Sequence, residues 1–125
     1  MLLPERLSKE PLAPAIRWGD DLWLRIVNWT VYATIQAEEW GITSQNVDTF
    51  LTSDDPSIKR FLGVDPSLGE AIGLDPKFAY NIIKKVGNYG EIFERNLGKS
   101  TKIGFERGLN RLWTQGGLLY SPPFR

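Results

Sequence analysis

Three adjacent carboxylate pairs are the first residues in this chain whose types invite chemistry: Asp20-Asp21, Glu38-Glu39 and Asp54-Asp55. Acid/base work on a bond needs two carboxyl groups facing each other across a substrate. Sequence neighbours point to different sides of a helix, so no pair is a ready-made dyad. The first and third pairs stand where helices start, and capping accounts for both. With neither Cys nor His in the 125 residues, thiolate chemistry, Ser-His and Cys-His nucleophiles and the usual zinc ligand sets are excluded. Gly87-Asn88-Tyr89-Gly90 faintly resembles a phosphate-cradling loop, yet it follows a helical pattern and no Gly-Lys-Ser or Gly-Lys-Thr is present. Lys84, Lys85, Arg107 and Arg111 could gather as a basic patch, and Trp18, Trp23, Trp29, Trp40 and Trp113 as an aromatic pocket. Solvated cations and helically spaced core residues are the simpler accounts. No catalytic residue, metal ligand or cofactor site emerges, and an enzyme is not expected.

The element that must position everything else runs from Asp20 to Gly41. Two aspartates at its head suit the orphan N–H groups and positive dipole end of a first turn. Gly41 can adopt the left-handed conformation that ends a helix, and Ile42 stands where a hydrophobic contact seals such an end. Between them, Leu22, Ile26, Trp29, Ala33, Ala37 and Trp40 form one stripe, with Trp23, Val27, Val31 and Ile35 on its flanks and Leu24 and Tyr32 widening it. A helix this apolar on several sides asks to be covered on most of them. Arg25, Asn28 and Gln36 interrupt it, so it is not a membrane span.

Residues 1–19 form an approach punctuated by Pro4, Pro11 and Pro14, within which Ala13 to Trp18 is the best candidate strand. After the long helix, Thr43 or Ser44 can cap a short helix ending near Leu51. Asp55-Pro56, Asp65-Pro66 and Asp75-Pro76 then recur every ten residues, each an N-cap followed by proline at the first helical position. The last leads into a helix from Pro76 to Val86 with Phe78, Ala79, Ile82, Ile83 and Val86 inward. Asn88 and Glu91 have capping-box spacing for a helix over Tyr89 to Leu97, with Ile92, Phe93 and Leu97 as its apolar face, closed by Gly98. A polar loop follows, then one or two turns over Leu109 to Thr114 with Leu109, Leu112 and Trp113 packed. The fold expected is mostly α with at most one or two short strands: an arm over 1–19, a helical part over 20–114 and an extended apolar tail over 115–125. Fifteen Lys and Arg balance fifteen Asp and Glu, so no overall field favours nucleic acid, and no partner of that kind is expected.

Several stretches together resemble one family, the general L-amino-acid-binding proteins of bacterial ABC uptake systems, which are periplasmic type II solute-binding proteins. They are Ser8-Lys9-Glu10-Pro11-Leu12-Ala13-Pro14; Arg17 with Gly19-Asp20-Asp21 and Trp23; Ala37-Glu38-Glu39 with Gly41-Ile42-Thr43-Ser44 and Asn46-Val47-Asp48; the block Val86 to Gly98; Arg107-Gly108-Leu109-Asn110 with Leu112-Trp113; and Gly116-Gly117-Leu118 with Tyr120 and Pro122-Pro123. Ala13 where Gly is usual and Ser121 where Ala is usual are small departures. The resemblance spans the chain but covers only the last third or so of a family member. It implies a C-terminal portion of a two-lobed α/β protein, with Leu12 to Arg17 like the segment that returns from the second lobe to the first. The helices after it would clothe the first lobe's sheet. The family's principal ligand contacts lie upstream, so no ligand-binding residue is assigned to this chain.

That resemblance implies an L-amino acid, ABC membrane subunits and the periplasm as partners and place. Met1-Leu2-Leu3 followed at once by Pro4-Glu5-Arg6 gives no apolar export segment, which points to the cytoplasm if Met1 is the true start. Ligand binding by these residues alone is not expected, and the rival reading is a free-standing helical dimerisation module. On either reading the apolar helix predicts a homo-oligomer, with Trp23, Val27, Val31 or Tyr32 in the contact.

Overall fold

A computed structural model describes residues 11–124, except the side chains of Ser67 and Leu68. Helix α1 spans Asp21–Glu39. The Asp20 carboxylate accepts from the Trp23 N–H at 2.9 Å, so the first aspartate is the cap. At the other end Gly41 takes φ +68°, and the Ile42 and Gly41 N–H groups donate to the Ala37 and Glu38 carbonyls at 2.8 and 3.0 Å. Ile42 is fully buried beneath that reversal.

The segment after it winds more tightly than its sequence suggests. Thr43 and Asn46 cap each other through Oδ1 and Oγ1, but residues Val47–Thr52 form a 3₁₀ helix rather than an α-helix. The Thr49 and Thr52 hydroxyls donate back to the carbonyls of Asn46 and Thr49, competing with the regular ladder. Next come α2 (Pro56–Phe61), α3 (Ser67–Ala71) and α4 (Phe78–Val86). Asp55 caps α2 through the Ser57 N–H. Asp75 accepts from the Lys77 N–H and opens a turn, so α4 begins two residues after the expected Pro76. Gly63 ends α2 at φ +73°, and any Cβ there would run into the backbone of Pro76. The close approach of two Asp-Pro turns is what requires a glycine at that point. Helix α5 covers Tyr89–Asn96 behind the capping box of Asn88 and Glu91.

No strand is present among the described residues; the one isolated bridge pairs Leu112 with Leu119. The expected strand at Ala13 to Trp18 does not form. Residues 11–17 are irregular and almost wholly exposed, with no adjacent strand to share hydrogen bonds. The first ten residues of that arm lie outside the described residues. The turns expected over Leu109 to Thr114 are two short 3₁₀ turns, Gly108–Asn110 and Trp113–Gln115. Between them the chain extends so that Trp113 donates to Leu119 and Leu119 to Arg111. This resets the helical phase, so Leu112 is buried while Leu109 and Trp113 face solvent. Val86 and Leu97, expected inside, are also exposed, each in the last turn of its helix region.

The core lies where the C-terminal half of α1 meets α2, α4 and α5. Ala33 and Ala37 let Ile42, Phe61, Leu62 and Ile83 approach the helix closely, and all are fully buried. Aromatic rings meet edge-on across it: Trp40 on Phe61 at 5.3 Å, Phe61 on Phe124 at 5.0 Å, Phe124 on Trp29 at 4.8 Å. The tail therefore lies on its own chain and closes the core.

Candidate functional site

The chemically distinctive surface is the N-terminal half of α1 and the segment entering it. Leu22, Trp23 and Leu24 are consecutive, so they point about 100° apart around the axis. All three are exposed, as are Leu12 and Trp18 in the approach. Ile26, Val27 and Val31 are half-buried. Five residues in a row, Ala33 to Ala37, are then buried on every side. Large apolar side chains thus stand free on more than one side of this end of the helix. An open cleft of about 450 Å³ at the entry is lined by Ile16, Arg17, Trp18, Gly19, Asp20, Asp21 and Leu24. One cation and two carboxylates on such exposed backbone hold nothing in a fixed orientation.

At the opposite, C-terminal end of α1 two buried or half-buried polar clasps fix the helices. Glu91 accepts from the Ser44 hydroxyl at 2.6 Å, the Ser44 N–H at 3.0 Å and the Asn88 N–H at 2.8 Å. Asn88 in turn donates to the Ile42 carbonyl at 2.9 Å. Burial pushes the Glu91 carboxyl up, but the hydrogen bonds from Ser44 and Asn88, with Arg95 nearby, outweigh it and hold the group below the ordinary glutamate range. The second clasp is Arg107, whose guanidinium meets Glu38 with two parallel bonds of 2.9 and 3.1 Å and also donates to the Asn110 carbonyl. The same guanidinium lies over the rings of Phe93 and Tyr89 at 5.3 and 5.6 Å. A third, exposed cluster joins Asp48 to Lys84 at 2.6 Å and to the Tyr80 hydroxyl at 2.8 Å. Those hydrogen bonds, Lys84's first, hold the Asp48 carboxyl below its usual value.

These contacts settle the sequence-level candidates one by one. Asp20 and Asp55 are caps, while Glu38 and Glu39 bind Arg107 and the Trp113 indole N–H (3.3 Å). In the Gly87 to Gly90 loop the Asn88 amide is taken by the chain's own Glu91 carboxylate, which stands where an external anion would. Lys84 and Arg107 each have an acidic partner of their own, Asp48 and Glu38, so these two of the four cations are neutralised locally. Trp18, Trp23 and Trp113 are exposed and enclose no shared pocket, while Trp29 and Trp40 pack on the core. No group of three or more acidic side chains suited to a metal occurs among the described residues, and none of their helices is long and apolar enough to cross a membrane. Of the four contact residues expected from sequence, Trp23, Val27 and Val31 lie along the open flank of α1. Tyr32 is half-buried beside Trp29, ring centroids 5.8 Å apart. Sequence reasoning missed the Glu91–Ser44 and Arg107–Glu38 clasps, whose partners are 47 and 69 residues apart.

No family model matches the chain. Curated proteins do match along its whole length. The general L-amino acid-binding periplasmic protein AapJ of Rhizobium johnstonii is 56% identical over 127 aligned residues. The glutamate/glutamine/aspartate/asparagine-binding protein BztA of Rhodobacter capsulatus is 53% identical, and the putative amino-acid ABC transporter-binding protein YhdW of Escherichia coli 51%. The chain spans 37% of the length of each of these relatives. Among solved structures, a periplasmic binding protein from Brucella ovis with glutathione bound superposes with a TM-score of 0.94 at 50% identity, over 98% of this chain and 39% of that one.

Proposed function

Because the chain is homologous over its whole length to the C-terminal part of the periplasmic amino-acid-binding proteins of ABC transporters, we propose that it serves as the helical C-terminal part of such an amino-acid-binding subunit. On this reading residues 1–125 are one incomplete domain, whose helices cover a sheet supplied by the N-terminal part of the protein, on the same or a separate chain. An L-amino acid would be held by that larger assembly in the periplasm and handed to ABC membrane subunits. The observation that carries the reading is the apolar N-terminal half of α1. It stands bare here, and the Brucella protein that shares this backbone has most of its chain beyond the matched region. The buried polar clusters among the described residues serve caps and clasps, so on this reading ligand binding belongs to the assembly. Calorimetric titration of the chain alone with a panel of L-amino acids tests this: no saturable binding below millimolar concentration is expected, and a saturable isotherm overturns it.

The same bare flank favours one other reading, a helical module that pairs with a second copy through Trp23, Val27 and Val31, with Tyr32 at the margin. Light scattering at low micromolar concentration separates the two. A stable dimer dissociated by Val27→Glu supports the module, and a folded 14.2 kDa monomer removes it.

A further inference from the structure

The C-terminal tail offers a site that none of the preceding argument uses. Backbone hydrogen bonds hold the tail as far as Leu119, through Leu118 to Leu109, Leu119 to Arg111 and Trp113 to Leu119. From Tyr120 onward no backbone–backbone hydrogen bond is made among the described residues. Side chains alone anchor this last stretch. Tyr120 meets Trp113 edge-on at 6.0 Å, Ser121 is buried, and Phe124 is 4% exposed between Trp29 of α1 and Phe61 of α2. Pro122 and Pro123 between these anchors have no N–H and fix the backbone in an extended form, so little conformational entropy is lost when the segment seats. An extended proline pair presenting aromatic side chains to an aromatic-lined groove is a known mode of peptide recognition.

We infer that the groove between α1 and α2 is a binding site for an extended Pro-Pro-aromatic peptide, and that the chain's own Ser121–Phe124 segment is its resident ligand. Ring–edge contacts from Trp29 and Phe61 select an aromatic side chain at the terminal position, and the prolines set its reach. The inference stands apart from the proposed role in amino-acid binding, since it concerns only contacts within this chain.

The test uses full-length chain carrying Phe124→Ala and a synthetic peptide of residues 118–125. The ring-bearing peptide is expected to raise the variant's urea midpoint saturably. It should bind roughly tenfold or more tighter than the same peptide with Ala in place of Phe124, the effect of burying one phenylalanine. Unsubstituted protein, its seat occupied, should bind the peptide at least about tenfold more weakly than the variant does. If Phe124→Ala does not fold, Phe124→Leu keeps most of the volume and takes its place with the same peptides. Failure of millimolar ring-bearing peptide to bind the folded variant, or equal binding of the two peptides, overturns the inference.

Discussion

From Ala33 to Ala37, α1 is buried on every side, while about three turns earlier Leu22, Trp23 and Leu24 stand in solvent. Apolar content does not predict which half is covered. The free half carries the larger apolar side chains, while the sealed half buries Thr34 and Gln36 along with Ala33, Ile35 and Ala37. The difference lies in what the rest of the chain brings to each. Small residues at Ala33 and Ala37 admit α4, α5 and the Phe61–Phe124 ring pair, and Arg107 reaches across from the C-terminal segment to lock Glu38. Among the described residues nothing comparable returns to the first two turns. A helix with large apolar side chains on several sides is thus a statement about the body it belongs to, and on the proposed reading that body extends past the residues that seal its C-terminal half.

Substitutions on the two halves should therefore differ in kind. The largest effect belongs to the sealed half. Phe61→Ala removes a fully buried ring from between Trp40 and Phe124, and should lower stability by about 3–5 kcal/mol. Urea unfolding of the chain alone measures it, and a loss below about 1 kcal/mol would mean that the core is not closed there. Next is Arg107→Ala, which strands Glu38 with little water access. Both side chains are about one-seventh exposed (15% and 13%), so a loss of roughly 2–4 kcal/mol is expected, slightly under that of a fully buried pair. A double-mutant cycle with Glu38→Gln checks that the two residues act together.

Glu91→Gln comes third, at about 1–2 kcal/mol, because the site is half-open to solvent. Its pH dependence is the sharper test. The folded protein holds this carboxyl lower than the unfolded chain does. Its contribution is therefore whole at neutral pH, begins to fade below the ordinary glutamate range, and is lost as pH falls through the folded pKa. The gap in urea midpoint between native protein and Glu91→Gln should close in acid. A gap unchanged across that range contradicts the role assigned to the clasp. The smallest effect is expected on the free half, where Trp23→Ser should change the stability of the isolated chain by no more than about 0.5 kcal/mol.

What could be read from the sequence was whatever is decided within a few residues. Asp20, the Gly41–Ile42 reversal, the Asp55 cap and the Asn88–Glu91 box are all local bargains between side chains and nearby N–H groups. The family resemblance was legible for the same reason, in blocks of contiguous residues. The Ala13 to Trp18 strand was misread because a strand exists only with a partner, and none is present among the described residues. Leu109 and Trp113 were misread because periodicity assumes an unbroken helix, whereas the chain extends at Leu112 to meet Leu119. The second role of Glu91, as acceptor for Ser44, and the seat of Phe124 depend on residues that only the folded chain brings together.

On the proposed function, the free half of α1 packs against the N-terminal part of an amino-acid-binding protein. Amide hydrogen exchange over residues 22–31 tests it most directly, with the chain alone and then co-expressed with the N-terminal part of the Rhizobium relative. Complex formation should slow exchange across those two to three turns and leave residues 33–37 unchanged. The Trp23→Ser variant, nearly silent alone, should weaken the complex. Exchange over residues 22–31 that is equally fast with and without the added part would contradict the claim.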